Sequence, residues 1–190
     1  MIRTVCFVSL CYLLAACSSL GPAVTQPRTL LSPEDLGYSL SAQQLIRIHF
    51  ADDLQQMLVQ LTVSPQRLEL VALDGFATPL FKLDYDGETL KQQSFVPQLD
   101  SAMAEFILAD IQLVYWPLAR LQQLLQTQSF ELKETACQQA EHCRSLYQEQ
   151  QLVSQVEYHG SELWQDEVSL KNFLANYQIE ISTLEVKVNE

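Results

Sequence analysis

Strict alternation of apolar and polar residues constrains this chain more than any other feature in it. From near Gln44, Ile46, Ile48 and Phe50 fall on one side of an extended backbone, while Arg47 and His49 fall on the other. Side chains on a strand repeat every second residue, so the pattern predicts a half-buried strand. Asp52-Asp53 makes a polar turn, after which Met57, Val59, Leu61 and Val63 alternate with Gln56, Leu58, Gln60 and Thr62. Ser64-Pro65 breaks the run, and Leu68, Leu70 and Ala72 resume it. Phe81, Leu83 and Tyr85 then oppose Lys82 and Asp84 in a fourth strand. Asp86-Gly87 reads as a two-residue type I′ turn into a fifth strand, from Leu90 toward Phe95. Such short connections require an antiparallel meander.

The period then changes. Leu99, Met103, Phe106, Ile107, Ile111 and Val114 recur at three- and four-residue spacings behind Asp100 at an N-cap position, which predicts an amphipathic helix. Pro117 suits the first position of a second helix, striped by Leu118, Leu121, Leu124 and Leu125. Strand patterning returns at Phe130 and Leu132 and continues through Leu146, Leu152, Val156 and Tyr158. It recurs from about Trp164 to Phe173 and again in Tyr177, Ile179 and Ile181. Leu184, Val186 and Val188 have the opposite parity, so a bulge is expected near Ser182-Thr183.

Strands, two helices and more antiparallel strands define an α+β chain. A strongly curved antiparallel sheet of about nine or ten strands, an incomplete β-barrel with two helices covering its concave face, lets every one-sided element bury its apolar side. A closed eight-stranded barrel also fits the alternation, but it leaves the helices no place unless they sit inside it.

The first residues combine Arg3, an apolar run from Val5 to Leu14, and Leu14-Ala15-Ala16 directly before Cys17. This resembles a bacterial lipoprotein signal, in which the cysteine is acylated and becomes the mature N-terminus. The run is shorter than the roughly 20 apolar residues that cross a bilayer. An ordinary signal cut after Ala16, with an unmodified Cys17, is the plain alternative. The expected organisation is a signal over 1–16, a Pro- and Gly-containing lipidated tether over 17–37, and a domain over 38–190. Ser18, rather than Asp, follows the cysteine, which by the same resemblance implies the periplasmic face of the outer membrane.

The formal charge is −12 and becomes one unit more negative when Arg3 leaves with the signal. An acidic chain repels phosphate backbones and anionic lipid alike, so nucleic acid is not an expected partner and membrane contact should be apolar. Cys6 and Cys11 also leave with the signal. With Cys17 acylated, Cys137 and Cys143 remain as a pair in an oxidising compartment and are expected to form a disulfide, worth about 2 kcal/mol for so short a loop. A metal site joining them to His142 and His159 matches no common zinc spacing, so neither metal nor cofactor is expected. No nucleophile elbow, His-Glu-x-x-His or phosphate loop occurs, and the paired acids sit at turns, so catalysis is not expected.

The order of elements, Val114-Tyr115-Trp116-Pro117-Leu118, and the ending through Tyr177, Ile179 and Ile181 together resemble LolB, the outer-membrane lipoprotein receptor, and its soluble partner LolA. More closely, they resemble a family of bacterial outer-membrane lipoproteins with that fold, some encoded in gene clusters for aryl polyene lipids. The resemblance implies lipid or acylated cargo held between sheet and helices and exchanged with a LolA-like periplasmic carrier. Residues implied to line that space are Ile46, Ile48, Phe50, Met57, Val59, Leu61, Phe81, Phe106, Trp116 and Leu121. Alternation does not separate a hollow interior from a packed one, and a structural or assembly lipoprotein that binds a protein partner fits the same pattern. Gly75 and Pro79 bracket a turn with Phe76 at its tip, and the resemblance implies that this loop enters membranes.

Overall fold

The computed structural model of the chain describes residues 29–50, 53–96, 101–137 and 140–189. The lipobox with Cys17, the tether over 17–28, Asp52, Leu99 and Asp100 lie outside the described residues. Ten strands form one sheet: β1 (Ser39–Phe50), β2 (Asp53–Ser64), β3 (Arg67–Leu73), β4 (Pro79–Tyr85), β5 (Leu90–Ser94), β6 (Phe130–Thr135), β7 (His142–Gln148), β8 (Gln151–Tyr158), β9 (Val168–Asn172) and β10 (Tyr177–Asn189). Between β5 and β6 the chain forms helices α1 (Ser101–Tyr115) and α2 (Leu118–Gln126).

The spatial order is β5-β4-β3-β2-β1-β10-β9-β8-β7-β6, and every recorded pair is antiparallel. The sheet does not close, since β5 and β6 are its two edges. Its inner face carries Leu40, Ala42, Leu61, Val63, Leu68, Leu70, Leu83, Val156 and Leu170. All are buried in one cluster with Leu108, Leu113, Leu121 and Leu125 of the helices. Period-two alternation therefore supplies one wall of the core and the helices the other.

The first and last strands make the longest pairing, from Ser39↔Asn189 to Phe50↔Tyr177. The register skips Leu184, because Gln43 faces Glu185 while Gln44 faces Thr183. The bulge thus lies one to two residues beyond Ser182-Thr183. It returns Val186 and Val188 to the side of Ala42 and Leu40, and leaves Leu184 60% exposed.

Two turns differ from the expected chemistry. The connection at Asp86-Gly87 is a longer loop, in which the Asp86 carboxylate accepts the Glu88 and Thr89 backbone N–H groups and Gly87 has positive φ. Asp86 acts as a side-chain cap rather than a left-handed residue. The two-residue turn with both φ values positive is instead Glu149-Gln150, at +50° and +69°, between the paired Gln148 and Gln151. β9 is shorter than expected, and Trp164 precedes it in a turn region while remaining buried.

The helix stripe also needs correction. Met103 is 44% exposed, and Phe106, Ile107 and Ile111 are only partly buried. The buried face runs through Ala104 and Leu108, and the last turn is buried almost all round, including Gln112, Leu113, Val114 and Tyr115. Pro117 is the N-cap of α2 rather than its first helical residue, and its carbonyl accepts the Arg120 and Leu121 N–H groups.

The lead-in is not a free tether up to Gly37. Leu31, Pro33 and Leu36 are buried, and a short 3-10 turn forms over Pro33–Leu36. The Gln112 side chain gives and takes one 2.8 Å hydrogen bond with the Leu31 backbone, as a neighbouring strand would. Trp116 Nε1 donates to the Ser32 carbonyl at 3.2 Å, and Arg120 pairs with Asp35. From Thr29 onward, then, the chain belongs to the domain.

Cys137 and Cys143 form a disulfide with Cα atoms 5.7 Å apart, linking the chain just after β6 to β7. Alkylation of the native protein without reductant should label neither cysteine; quantitative labelling of both would show that the bond does not form in the native protein.

Candidate functional site at the open end of the sheet

Antiparallel order sends the β1–β2, β3–β4, β7–β8 and β9–β10 turns to one end of the sheet, together with the exit from β5 into α1. On the three central strands β1, β2 and β10, burial along the inner face falls toward that end. On β1, Leu40, Ala42 and Gln44 are 2–3% exposed, Ile46 and Ile48 are half-buried, and Phe50 reaches 40%. On β2, Val63, Leu61 and Val59 are buried, Met57 is half-buried, and Gln55 and Asp53 are exposed. Helix α1 begins at this end with Met103 exposed, buries Ala104 and Leu108 completely, and leaves Phe106 and Ile107 half-buried. Cross-strand pairs Ile46↔Met57, Ile46↔Ile181, Ile48↔Ile179 and Phe50↔Tyr177 make the exposed part continuous across three strands. Phe50 and Tyr177 touch with ring centroids 5.6 Å apart.

The opposite end is closed by a dense set of polar contacts on α1. Arg144, 7% exposed on β7, extends its guanidinium to the carbonyls of Leu113, Val114 and Trp116 at 3.2, 3.1 and 2.9 Å. Tyr158 donates its hydroxyl to the Val114 carbonyl at 2.6 Å. A helix end leaves carbonyls without partners and carries partial negative charge, so a buried cation satisfies both demands. Gln44 donates to the Tyr115 hydroxyl at 2.6 Å and to Thr183 at 3.2 Å, and Tyr115 stacks on Trp164 at 3.8 Å. Burial pushes the Tyr115 and Tyr158 phenols well above their ordinary range, so both remain neutral.

The implied lining residues divide between these two ends. Ile46, Ile48, Phe50 and Met57 come together at the open end, and Phe106 is half-buried on α1. Val59, Leu61, Phe81, Trp116 and Leu121 are at most 8% exposed and belong to the main core cluster. Trp116 lies under the lead-in at the closed end, and Leu121 is on α2, which packs against β6. Sequence reasoning missed Arg144, Gln44 and Gln112, because polar residues at inward positions break the pattern that marks a core.

Phe76 is 93% exposed at the tip of the β3–β4 turn. The turn is firmly built. Asp74 accepts the backbone N–H groups of Phe76 and Thr78, each at 2.8 Å, and its own N–H donates to the Thr78 carbonyl. Those bonds, first from Thr78 and then from Phe76, hold the Asp74 carboxyl below the usual range. Ala77 completes the turn with φ +62°.

Other chemistry is sparse among the described residues. An open hollow of about 590 Å³ between the start of α2 and the β6–β7 connection is lined by Leu118, Gln122, Glu134, Thr135, Ala136 and His142. His142 stacks on Tyr158 at 4.4 Å and lies 3.8 Å from Glu134. The two cysteines of the metal reading are bonded to each other, and no group of three or more metal-ligating side chains occurs among the described residues. No helix among those residues is long and apolar enough to cross a membrane.

Fold and open end together define an α+β half-barrel, a ten-stranded unclosed antiparallel sheet with two helices over its inner face. The model of the DUF3261 family, proteins of unknown function, matches residues 41–185, and the chain belongs to that family. No curated protein matches it. Among solved structures it is similar to a domain named for outer membrane lipoprotein sorting from Vibrio parahaemolyticus, with 6% identity, 80% of this chain and 86% of that one covered, and a TM-score of 0.46. It is also similar to a LolA superfamily protein from Nitrosomonas europaea, with 9% identity, coverage of 85% and 89%, and a TM-score of 0.45. A third is the MucA/MucB complex of Pseudomonas aeruginosa, with 12% identity, coverage of 83% and 54%, and a TM-score of 0.43.

Proposed function

We propose that this protein is a cell-envelope lipoprotein that binds and transfers lipid or acylated cargo at the open end of its half-barrel, and that it acts by binding rather than catalysis. The observation that carries this reading is the burial gradient. Apolar inward side chains of β1, β2 and β10 lose burial together toward this end, where α1 also begins with Met103 exposed. A lipid chain laid on Ile46, Ile48, Met57 and Phe106 would remove that surface from water at roughly 25 cal/mol per Å². In this reading Cys17 carries the anchor, the domain works on the periplasmic face of the outer membrane, and a soluble LolA-like carrier is the exchange partner. Aryl polyene lipid is a candidate cargo in this reading, as the resemblance implies.

A second reading, a structural lipoprotein that holds a protein partner, is supported by the closed end, where sheet and helix side chains already fill the interior. Native mass spectrometry of the protein purified without its anchor separates the two. Co-purified acyl or polyene lipid is expected, and Met57→Glu should weaken retention of a fluorescent fatty acid about tenfold, in line with burying one apolar side chain. A bare polypeptide mass with no fatty-acid binding would favour the structural reading.

A further inference from the structure

Nine large apolar side chains are exposed among the described residues, and seven of them lie at the open end. Beside Phe50 these are Leu54, Phe76, Phe95, Met103, Phe173 and Leu174. They come from separate segments: the β1–β2, β3–β4 and β9–β10 turns, the residue following β5, and the first turn of α1. Only strand direction brings these segments to one end. Nothing in their local sequences requires a shared position, and scattered exposed apolar residues would fall at both ends.

We infer that this collar is a docking surface for the polar–apolar boundary of an electrically neutral lipid bilayer. The inference deepens the reading above by naming what the open end faces while cargo passes. Three observations select lipid, and neutral lipid. The collar is a ring of turn tips rather than a groove, and Phe76 stands out on a turn stiffened by Asp74, so little ordering is left for contact to require. The ionisable residues in or directly beside these segments are His49, Asp52, Asp53, Asp74, Asp100, Glu105 and Lys171, a mainly acidic set that repels anionic headgroups. The chain also enters the domain on the correct side. The Thr29 N–H donates to Gln128 Oε1, and Gln128 lies between α2 and the start of β6, whose partner Gln148 flanks the β7–β8 turn of the open end. From Cys17 to Thr29 an extended chain reaches about 40 Å, enough for an anchored domain to lay its collar on the surface that holds it.

Tryptophan reporters test this in the full chain as its host produces it. The native Trp116 and Trp164 are 0% and 7% exposed and will not respond to lipid. Phe76→Trp, Leu174→Trp and, away from the collar near the middle of the β1–β10 seam, Leu184→Trp are prepared separately and mixed with phosphatidylcholine vesicles brominated on their acyl chains. Emission from Phe76→Trp and Leu174→Trp should shift to the blue and fall by about half, as expected for side chains buried several ångströms into the boundary, while Leu184→Trp stays as in water. Phosphatidylglycerol in the vesicles should weaken the quenching at low salt, and added salt should restore it. Quenching at Phe76→Trp alone overturns the collar in favour of a single loop. Equal quenching at Leu184→Trp, or none at any position, overturns docking through this end. A collar silent toward vesicles that responds only to envelope proteins overturns the lipid assignment. Fatty-acid binding that persists without quenching refutes the collar and spares the cargo reading; its loss with quenching intact does the reverse.

Discussion

Replacing Arg144 with Met should destabilise the domain by about 3 kcal/mol, the lower end of what removal of one partner from a buried charged network costs. Its guanidinium is shared among the carbonyls of Leu113, Val114 and Trp116, and it lies 3.3 Å from Glu134 and over the ring of Tyr158. A methionine of similar volume keeps the packing but leaves two of those carbonyls without this donor, while Val114 retains the Tyr158 hydroxyl. Glu134 is exposed enough to regain water, which limits the loss. Thermal unfolding should show a fall in Tm of roughly 6–12 °C for a chain of this size. Arg144→Lys should fall between the two, since one ammonium keeps the charge without the planar fork that reaches several carbonyls. A change below about 2 °C for Arg144→Met would mean that water or Tyr158 caps the helix well enough alone.

Cys17→Ala should move the protein from the outer-membrane fraction to the soluble periplasmic fraction. Each buried methylene of an acyl chain contributes about 0.8 kcal/mol, so several chains on one cysteine hold a protein to membrane essentially without exchange, whereas one chain binds only marginally. In the reading proposed above, the collar supplies brief contact and does not replace an acyl anchor. Fractionation of cells followed by immunodetection gives the answer. Full retention of the variant in the membrane would show that something other than Cys17 attaches the chain.

What was legible in the sequence follows from how locally each feature is determined. Strands β2, β3 and β4 read directly because inward positions are apolar and outward ones mostly polar, as in Leu68, Leu70 and Ala72 against Arg67 and Glu69. β1 begins five residues before the alternation becomes visible, since the inward Gln44 looks like a break. It is 3% exposed only because Tyr115 and Thr183, far along the chain, accept its hydrogen bonds. Helix α1 was misoriented for the same reason. Asp110 and Gln112 look like a solvated face, yet Asp110 meets the Tyr177 hydroxyl and Gln112 meets the Leu31 backbone. Polar groups satisfied at long range leave no local periodic signal. Phe76 was legible because its exposure depends on a turn only a few residues long, written out in Asp74-Gly75-Phe76. The grouping of the other exposed apolar residues was hidden, because it depends on strand order.

The pairing of β1 with β10 bears on how the protein is made. The wings β1–β5 and β6–β10 meet in the sheet only along this seam, and its partners are separated by almost the whole domain, as Ser39 and Asn189 show. Contacts so distant in sequence form late, because a long loop must close before they stabilise anything. The seam cannot form until the last strand has been synthesised, so a nascent chain carries two unfinished wings rather than a folded body. If the chain is exported as an extended thread, as the reading proposed above requires, this ordering is useful. The polypeptide would stay narrow enough to pass a translocation channel and complete its sheet only after the final strand had arrived on the far side.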